Sequence, residues 1–286
     1  MAKCAISPWS VRGIITNFSS DRFLSMVVWK FGKSVLNKMF VPAHAPLDPK
    51  EVEALQELLN KAKKLFVMTG AGCSTESGIP DYRSPGTGVY SSGKEDPVDF
   101  SDFVANNKAR QRYWARNFVI WPTFNAAKPN ITHQKLAEWE KSDRFLGIVT
   151  QNTDGLHMEA GSTKVIELHG NCRKIVCLGC DYTTSRDQFQ EVIAAANPNF
   201  VTEVQKPERI NSSGQVEFDR NLLQQCDTFL VLGSSLYVST GANLVLQAAS
   251  GGKSLALVTI GHAELEGLFN VKLNAPCGPV MSQLQF

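Results

Sequence analysis

Short apolar runs recur along the chain, and each ends in a turn that carries glycine or polar residues. Leu65–Thr69 runs into Gly70-Ala71-Gly72, Phe145–Thr150 into Gln151-Asn152-Thr153-Asp154, residues 165–168 into His169-Gly170, Thr228–Leu232 into Gly233-Ser234-Ser235, and residues 254–260 into Gly261. Runs this short and this apolar read as strands buried on both faces. Helical stretches at 133–141 and 241–249 separate some of them. Another helix opens at Asp48-Pro49-Lys50-Glu51, a cap followed by proline in the first turn and an acid three residues on, with Val52, Leu55, Leu59 and Ala62 then repeating at helical spacing. Strand alternating with helix predicts an α/β fold, a Rossmann-like, mainly parallel sheet with helices on both faces.

Residues 85–130 and 172–220 break that rhythm and are expected to form a smaller lobe, truncated in its second part, beside a larger lobe made of 48–84, 131–171 and 221–286. A basic leader precedes both. Its first forty residues carry Lys3, Arg12, Arg22, Lys30, Lys33 and Lys38 against the single acid Asp21, and a helix over 22–38 would gather Leu24, Val27, Phe31 and Val35 on one side. That is the pattern of a mitochondrial transit peptide over 1–40, with a membrane-surface helix as the alternative. Arg22 and Lys30 interrupt any uncharged stretch long enough to span a bilayer, so no stable membrane anchor is expected. Net charge is only +2, and no basic run with interleaved aromatics occurs, which argues against a nucleic-acid partner. Seven unevenly spaced cysteines with one Cys-x-x-Cys pair read as thiols or metal ligands and not as a disulfide framework.

In an open parallel sheet, ligands sit beyond the carboxyl ends of the strands. Five polar or glycine-bearing turns therefore face one crevice. The first is not a full Gly-x-Gly-x-x-Gly, since Thr75 takes the last glycine's place, and no acid closes a second strand about 20 residues later, which speaks against an ordinary dehydrogenase. Cys73, inside the loop, reads as a small buried filler.

Gly70-Ala71-Gly72 through Ser77-Gly78-Ile79-Pro80-Asp81-Tyr82-Arg83, then Gln151-Asn152-Thr153-Asp154, then Leu168-His169-Gly170, resembles the sirtuin signature in order and spacing. Arg110 to Asn117 resembles the family's mitochondrial class II group, the sirtuin-4 type. The resemblance covers the chain from residue 41 to its end, and it implies NAD as cosubstrate, acylated mitochondrial proteins as partners, and the mitochondrial matrix as location. It also implies removal of lipoyl, biotinyl or acidic acyl groups from lysine, and ADP-ribosyl transfer. By resemblance His169 is the catalytic base. Gly70, Ala71, Gly72 and Ser74 would cradle a pyrophosphate, while Gln151, Asn152 and Asp154 would hold the nicotinamide and its ribose. Ser77 and Gly78 lead into the mobile segment Ile79, Pro80, Asp81, Tyr82 and Arg83, with Tyr90 beyond it. Gly233, Ser234, Ser235, Thr259, Ile260, Gly261 and Cys277 would line the adenosine side, Thr259 departing from the family's usual asparagine. Tyr113 and Arg116 have the Tyr-x-x-Arg spacing of an acyl-carboxylate reader.

Cys177 and Cys180 make half of the family's four-cysteine zinc site. Between Cys180 and Cys226 there is neither cysteine nor histidine, so the zinc site is expected to be incomplete. The strand-forming segment with which sirtuins pair the substrate peptide has no counterpart between Asp181 and Gln225. A catalytically impaired NAD-binding variant or scaffold is thus the alternative to an active deacylase.

Overall fold

The computed structural model describes residues 40–89, 98, 100–197 and 220–286. The leader, apart from Phe40, lies outside them, as do Tyr90 and residues 198–219. The chain divides into two compact units, one of Met39–Lys94, Ala127–Gly170 and Gln215–Phe286, the other of Met1–Lys38, Glu95–Ala126 and Asn171–Gly214.

The first unit is built on a six-stranded sheet, β1 (Leu65–Thr69), β2 (Phe145–Thr150), β3 (Val165–Glu167), β6 (Thr228–Leu232), β7 (Ser254–Val258) and β8 (Val271–Leu273), in the order β3-β2-β1-β6-β7-β8. Every pairing in it is parallel. Alternate side chains of β1 enter two separate cores, Leu65 and Val67 on one face, Phe66 and Met68 on the other, and all four are fully buried. This explains why β1 reads as unbroken apolar sequence rather than as alternation. Helix α1 (Pro49–Lys61) lays Val52, Leu55 and Leu59 on the first face, where α4 (Ile131–Trp139) adds Leu136 and Trp139. Helices α7 (Arg220–Gln225) and α8 (Ser239–Ser250) cover the second with Leu223, Leu244, Val245 and Ala248. The start of α1 is the expected cap: Asp48 accepts a hydrogen bond from the Lys50 amide at 2.9 Å, with Pro49 in the first turn.

The expected parallel α/β sheet is therefore present, with differences at the ends. β7 stops at Val258, two residues short of the apolar run, where the Thr259 amide makes a last bond to the β8 end, the Leu273 carbonyl at 3.1 Å. β8 was not expected. Three residues, Val-Lys-Leu, are too few to show a period.

The second unit contains α2 (Phe100–Ala105), α3 (Asn107–Ala126), the antiparallel hairpin of β4 (Lys174–Val176) and β5 (Thr183–Ser185), and α6 (Arg186–Ala196). Its buried cluster is small: Phe118, Phe189 and Ile193, with Trp114 packed against it. Polar bonds supplement it, Trp121 Nε1–H to Asp187 Oδ1 at 2.7 Å and Gln190 Nε2–H to the Phe118 carbonyl at 2.7 Å. Among the described residues no helix is long and apolar enough to cross a membrane.

Candidate active site

β1 and β6 are neighbours, and the chain extends the sheet in opposite directions from them. Connections diverge at such a reversal and leave room beyond the strand ends. Two glycine loops meet there. The Gly70 amide donates to the Leu232 carbonyl at 2.9 Å and the Gly72 amide to the Gly233 carbonyl at 2.8 Å. Gly233 sits at φ 65°, and a Cβ on it would lie 2.3 Å from the Cys73 nitrogen. A Cβ on Gly70 or Gly72 would come within 2.8 or 2.9 Å of Gly233 atoms. Glycine is required at these positions first by the approach of one backbone to another.

Beyond Gly72 the chain coils through a 3-10 segment, Ala71–Ser77, and leaves it at Gly78, φ 84°. That segment places Ser74 over β2. The Ser74 hydroxyl donates to Asp154 Oδ2 at 2.8 Å, and Asn152 Nδ2 donates to the Gly70 carbonyl and to Ser74 Oγ, each at 3.1 Å. Asp154 Oδ1 accepts the Leu156 amide at 2.9 Å, fixing the start of α5 (Leu156–Glu159). Ser74, Asn152 and Asp154 are all buried. On the other side of β1 the Ser234 hydroxyl donates to Gln151 Oε1 at 2.7 Å. The turns after β1, β2 and β6 thus form one hydrogen-bonded surface.

His169 joins it from β3. Its Nδ1 lies 3.0 Å from the Gln151 carbonyl, which can only accept, so Nδ1 carries the proton and Nε2 presents the lone pair. Nε2 lies 3.0 Å from the Thr240 hydroxyl, which then donates to it. Partial burial pushes the imidazole pKa down, and the bond to Gln151 offsets part of that. A neutral ring at neutral pH is the form a general base needs. Thr240 is a contact that the motifs did not single out. Its signal would have been a hydroxyl at the start of the helix after β6, on the sheet edge shared with His169.

The segment after Gly78 folds on itself. Ile79 is buried, Asp81 binds the Ser84 amide and hydroxyl, and the Val89 amide donates to the Asp81 carbonyl at 2.8 Å. Pro80 and Tyr82 are half-buried, and the Arg83 guanidinium stacks 4.4 Å above the Tyr237 ring. At the end of β7, Thr259 is nearly buried and Gly261, at φ 79°, donates to Asn274 Oδ1 at 2.9 Å, with half-buried Ile260 between them. The Ser235 carbonyl accepts the Glu264 amide at 2.9 Å. The Cys277 side chain is a core group packed near the Val258 carbonyl, its thiol pKa driven upward by burial.

The remaining candidates belong to the second unit. Tyr113 and Arg116 lie one turn apart on α3, and burial raises the Tyr113 phenol to about 12. Unanticipated there is Arg186, 3% exposed, its guanidinium 5.8 and 5.2 Å from the rings of Trp114 and Trp121. Cys177 and Cys180 flank the turn of the β4–β5 hairpin, where the Gly179 amide donates to Cys177 Sγ at 3.4 Å. Among the described residues no third cysteine, histidine or carboxylate gathers with them, and Cys226 is buried in the sheet's core. The described residues around the hairpin do not complete the four-ligand zinc site of Cys177 and Cys180.

The Sir2 family model matches residues 70–240. The chain is 37% identical to the NAD-dependent protein deacylase Sirt4 of Drosophila melanogaster, over 88% of this chain and 92% of that protein. It is 38% identical to the NAD-dependent protein lipoamidase sirtuin-4, mitochondrial, of Homo sapiens, over 85% and 88%. A solved Sir2 complex with a p53 peptide and NAD+ superposes with a TM-score of 0.63 at 29% identity, covering 81% of this chain and 96% of that one. The chain belongs to the Sir2 family. Its alignment with the Drosophila protein runs over 289 positions yet takes in only 88% of these 286 residues, so about three dozen positions of that relative stand opposite no residue here.

Proposed function

We propose that the chain is an NAD-dependent protein acyl-lysine deacylase of the sirtuin-4 type. The observation that carries this is His169, with its proton fixed on Nδ1 by Gln151 and its basic Nε2 on the edge where the glycine loops meet. The relatives, named as deacylases and a lipoamidase, do not favour a scaffold without activity.

The surroundings suit NAD. Gly70, Gly72 and Gly233 keep side chains out of the strand ends, and the buried Ser77 hydroxyl has no partner of its own and can serve a ligand. When bound, NAD supplies an electrophilic ribose carbon and the acceptor for the acyl group. Gly70, Ala71, Gly72 and Ser74 then cradle its pyrophosphate, Asn152 and Asp154 orient its nicotinamide end, and Ser234 and Ser235 its adenosine side. His169 Nε2 takes a ribose hydroxyl proton, with Thr240 aligning the ring. Tyr113 and Arg116 read an acidic acyl terminus; lipoyl lysine is suggested by the lipoamidase relative, and biotinyl lysine and ADP-ribosyl transfer by the motif resemblance alone. The protein works in the mitochondrial matrix after loss of a leader ending near residue 40, with the larger lobe binding NAD and 85–130 with 172–220 forming the smaller.

The test is nicotinamide release from NAD, measured with and without a lipoyl-lysine peptide. Release that requires the peptide, together with delipoylated product, supports the reading; peptide-independent or absent release with intact NAD binding overturns it.

A further inference from the structure

Beside the glycine loop, adjoining Asn152, three buried side chains converge that the deacylase reading leaves without a role. Cys73 comes from the 3-10 segment, His133 from the first turn of α4 and His157 from α5, and one ligand atom of each lies within 4.8 Å of the other two. All three are at most 2% exposed.

The protons on the two imidazoles can be placed. Asn130 Nδ2 donates to the Cys73 carbonyl at 2.7 Å, which fixes the orientation of that amide. Its Oδ1, 2.9 Å from His133 Nδ1, can only accept, so His133 is protonated on Nδ1. The Asn130 main-chain N–H, 3.3 Å from the same nitrogen, has no lone pair to donate to in this tautomer, and the shorter contact sets the proton. The Thr69 hydroxyl donates to Thr150 Oγ1 at 2.8 Å and must accept from His157 Nε2 at 2.9 Å, so His157 is protonated on Nε2. Two bare lone pairs remain, on His133 Nε2 and His157 Nδ1, and neither has a hydrogen-bond partner. The rings lie 4.8 Å apart, and Cys73 Sγ accepts from Asn152 Nδ2 at 3.4 Å, a donor suited to a thiolate. A buried polar atom without a partner is destabilising. Here there are two, each needing a donor or a cation.

We infer that Cys73, His133 and His157 form a binding site for a thiophilic d10 cation, Zn2+ or Cu+, separate from the Cys177–Cys180 hairpin. One thiolate and two neutral imidazoles are a ligand set these ions share, with Cu+ satisfied by three donors and Zn2+ taking a water as fourth. Bonds of about 2.0 to 2.3 Å place ligands roughly 3.4 to 3.8 Å apart, so the cluster contracts by up to about 1 Å on binding. Burial holds His133 at about 4 and His157 at about 3, so both rings are already neutral at pH 7, while the Cys73 thiol, pushed up to about 12, keeps its proton. Binding thus releases one proton per ion, from Cys73 to solvent, and ties the glycine loop to α4 and α5.

The experiment uses the full chain carrying Cys177→Ser and Cys180→Ser, stripped by chelation and titrated with Co2+. Expected are a thiolate-to-cobalt charge-transfer band saturating at one equivalent, one proton released per ion, and displacement by Zn2+ or Cu+, whichever acts at the lower concentration being the resident ion. Adding Cys73→Ser should abolish the band and weaken Co2+ binding at least tenfold. X-ray absorption of the Zn2+-loaded double variant, expected to show one sulfur and two imidazoles, decides the matter if the triple variant does not fold. No band, a band that survives Cys73→Ser, or a site holding only water would overturn the proposal. None of these readouts depends on deacylation, so their failure would leave the deacylase reading intact.

Discussion

The edge of the large sheet and the cysteine hairpin each carry residues that match a family motif, yet they are held in opposite ways. At the sheet edge, Gly72 bonds Gly233, Ser74 bonds Asp154 and Gln151 bonds both Ser234 and His169, so each loop is positioned by partners from other strands. In the hairpin, β4 and β5 pair over three residues each, Cys180 is exposed, and the bond at Cys177 Sγ comes from its neighbour Gly179. Motif residues keep their geometry where long-range contacts over-determine it. The hairpin relies instead on a short ladder and on Ile175 packed against a small cluster.

The largest effect expected on this contrast is at His169. His169→Ala should lower deacylation by about 10² to 10⁴-fold, equivalent to about 3 to 5 kcal/mol of barrier, while NAD affinity measured by calorimetry changes only a few-fold. A comparable loss of affinity would mean that the ring serves binding and not proton transfer.

Next comes acid. His133 and His157 have folded pKa values below the ordinary 6.5, near 4 and 3, because burial opposes their charging. The unfolded chain therefore binds more protons than the folded one as pH falls below 6.5, and the stability present above that value is lost toward the folded pKa values. For two such rings, urea melts of metal-free protein should give a free energy about 4 kcal/mol lower at pH 5 than at pH 7. Equal melts at the two pH values would show that the pair charges freely.

Third is the glycine contact. Gly233→Ala places a Cβ against the Cys73 nitrogen at φ 65° and should cost about 3 kcal/mol or more, whereas Gly179→Ala in the hairpin meets nothing within 4 Å and should stay within about 0.5 kcal/mol. If the two substitutions proved equally mild, the interlocking of the loops would be weaker than the distances imply.

Much of the large unit was legible in the chain because its signals are local. β1, β2 and β6 are apolar at nearly every position, and each ends on glycine or a polar turn, so both the sheet and its functional edge could be read from order alone. Thr240 was not legible, since a hydroxyl two residues into a helix gains meaning only when β3 brings His169 to it. Nor was the His133–His157 pair, whose members are 24 positions apart in sequence and meet only because α4 and α5 pack together. β8 was too short to show a pattern. Arg186 was hidden because a charged residue at a helix start ordinarily faces water, whereas here two tryptophan rings enclose it.

The smallest expected effect tests the hairpin itself. A complete structural zinc site contributes on the order of 10 kcal/mol of folding free energy, and removing two of its ligands from a domain of this size would unfold the lobe they hold. Here the two thiols stand at an open turn, and the sequence from 181 to 225 supplies neither cysteine nor histidine to join them. Their replacement therefore changes one half-buried and one exposed sulfur at the surface. Cys177→Ser with Cys180→Ser should shift the melting temperature by no more than about 2 °C, the range of an ordinary surface change. A fall of ten degrees or so, or loss of a bound zinc equivalent specific to these two residues, would show that other groups complete the site. The hairpin would then be held from a distance, as the sheet edge is.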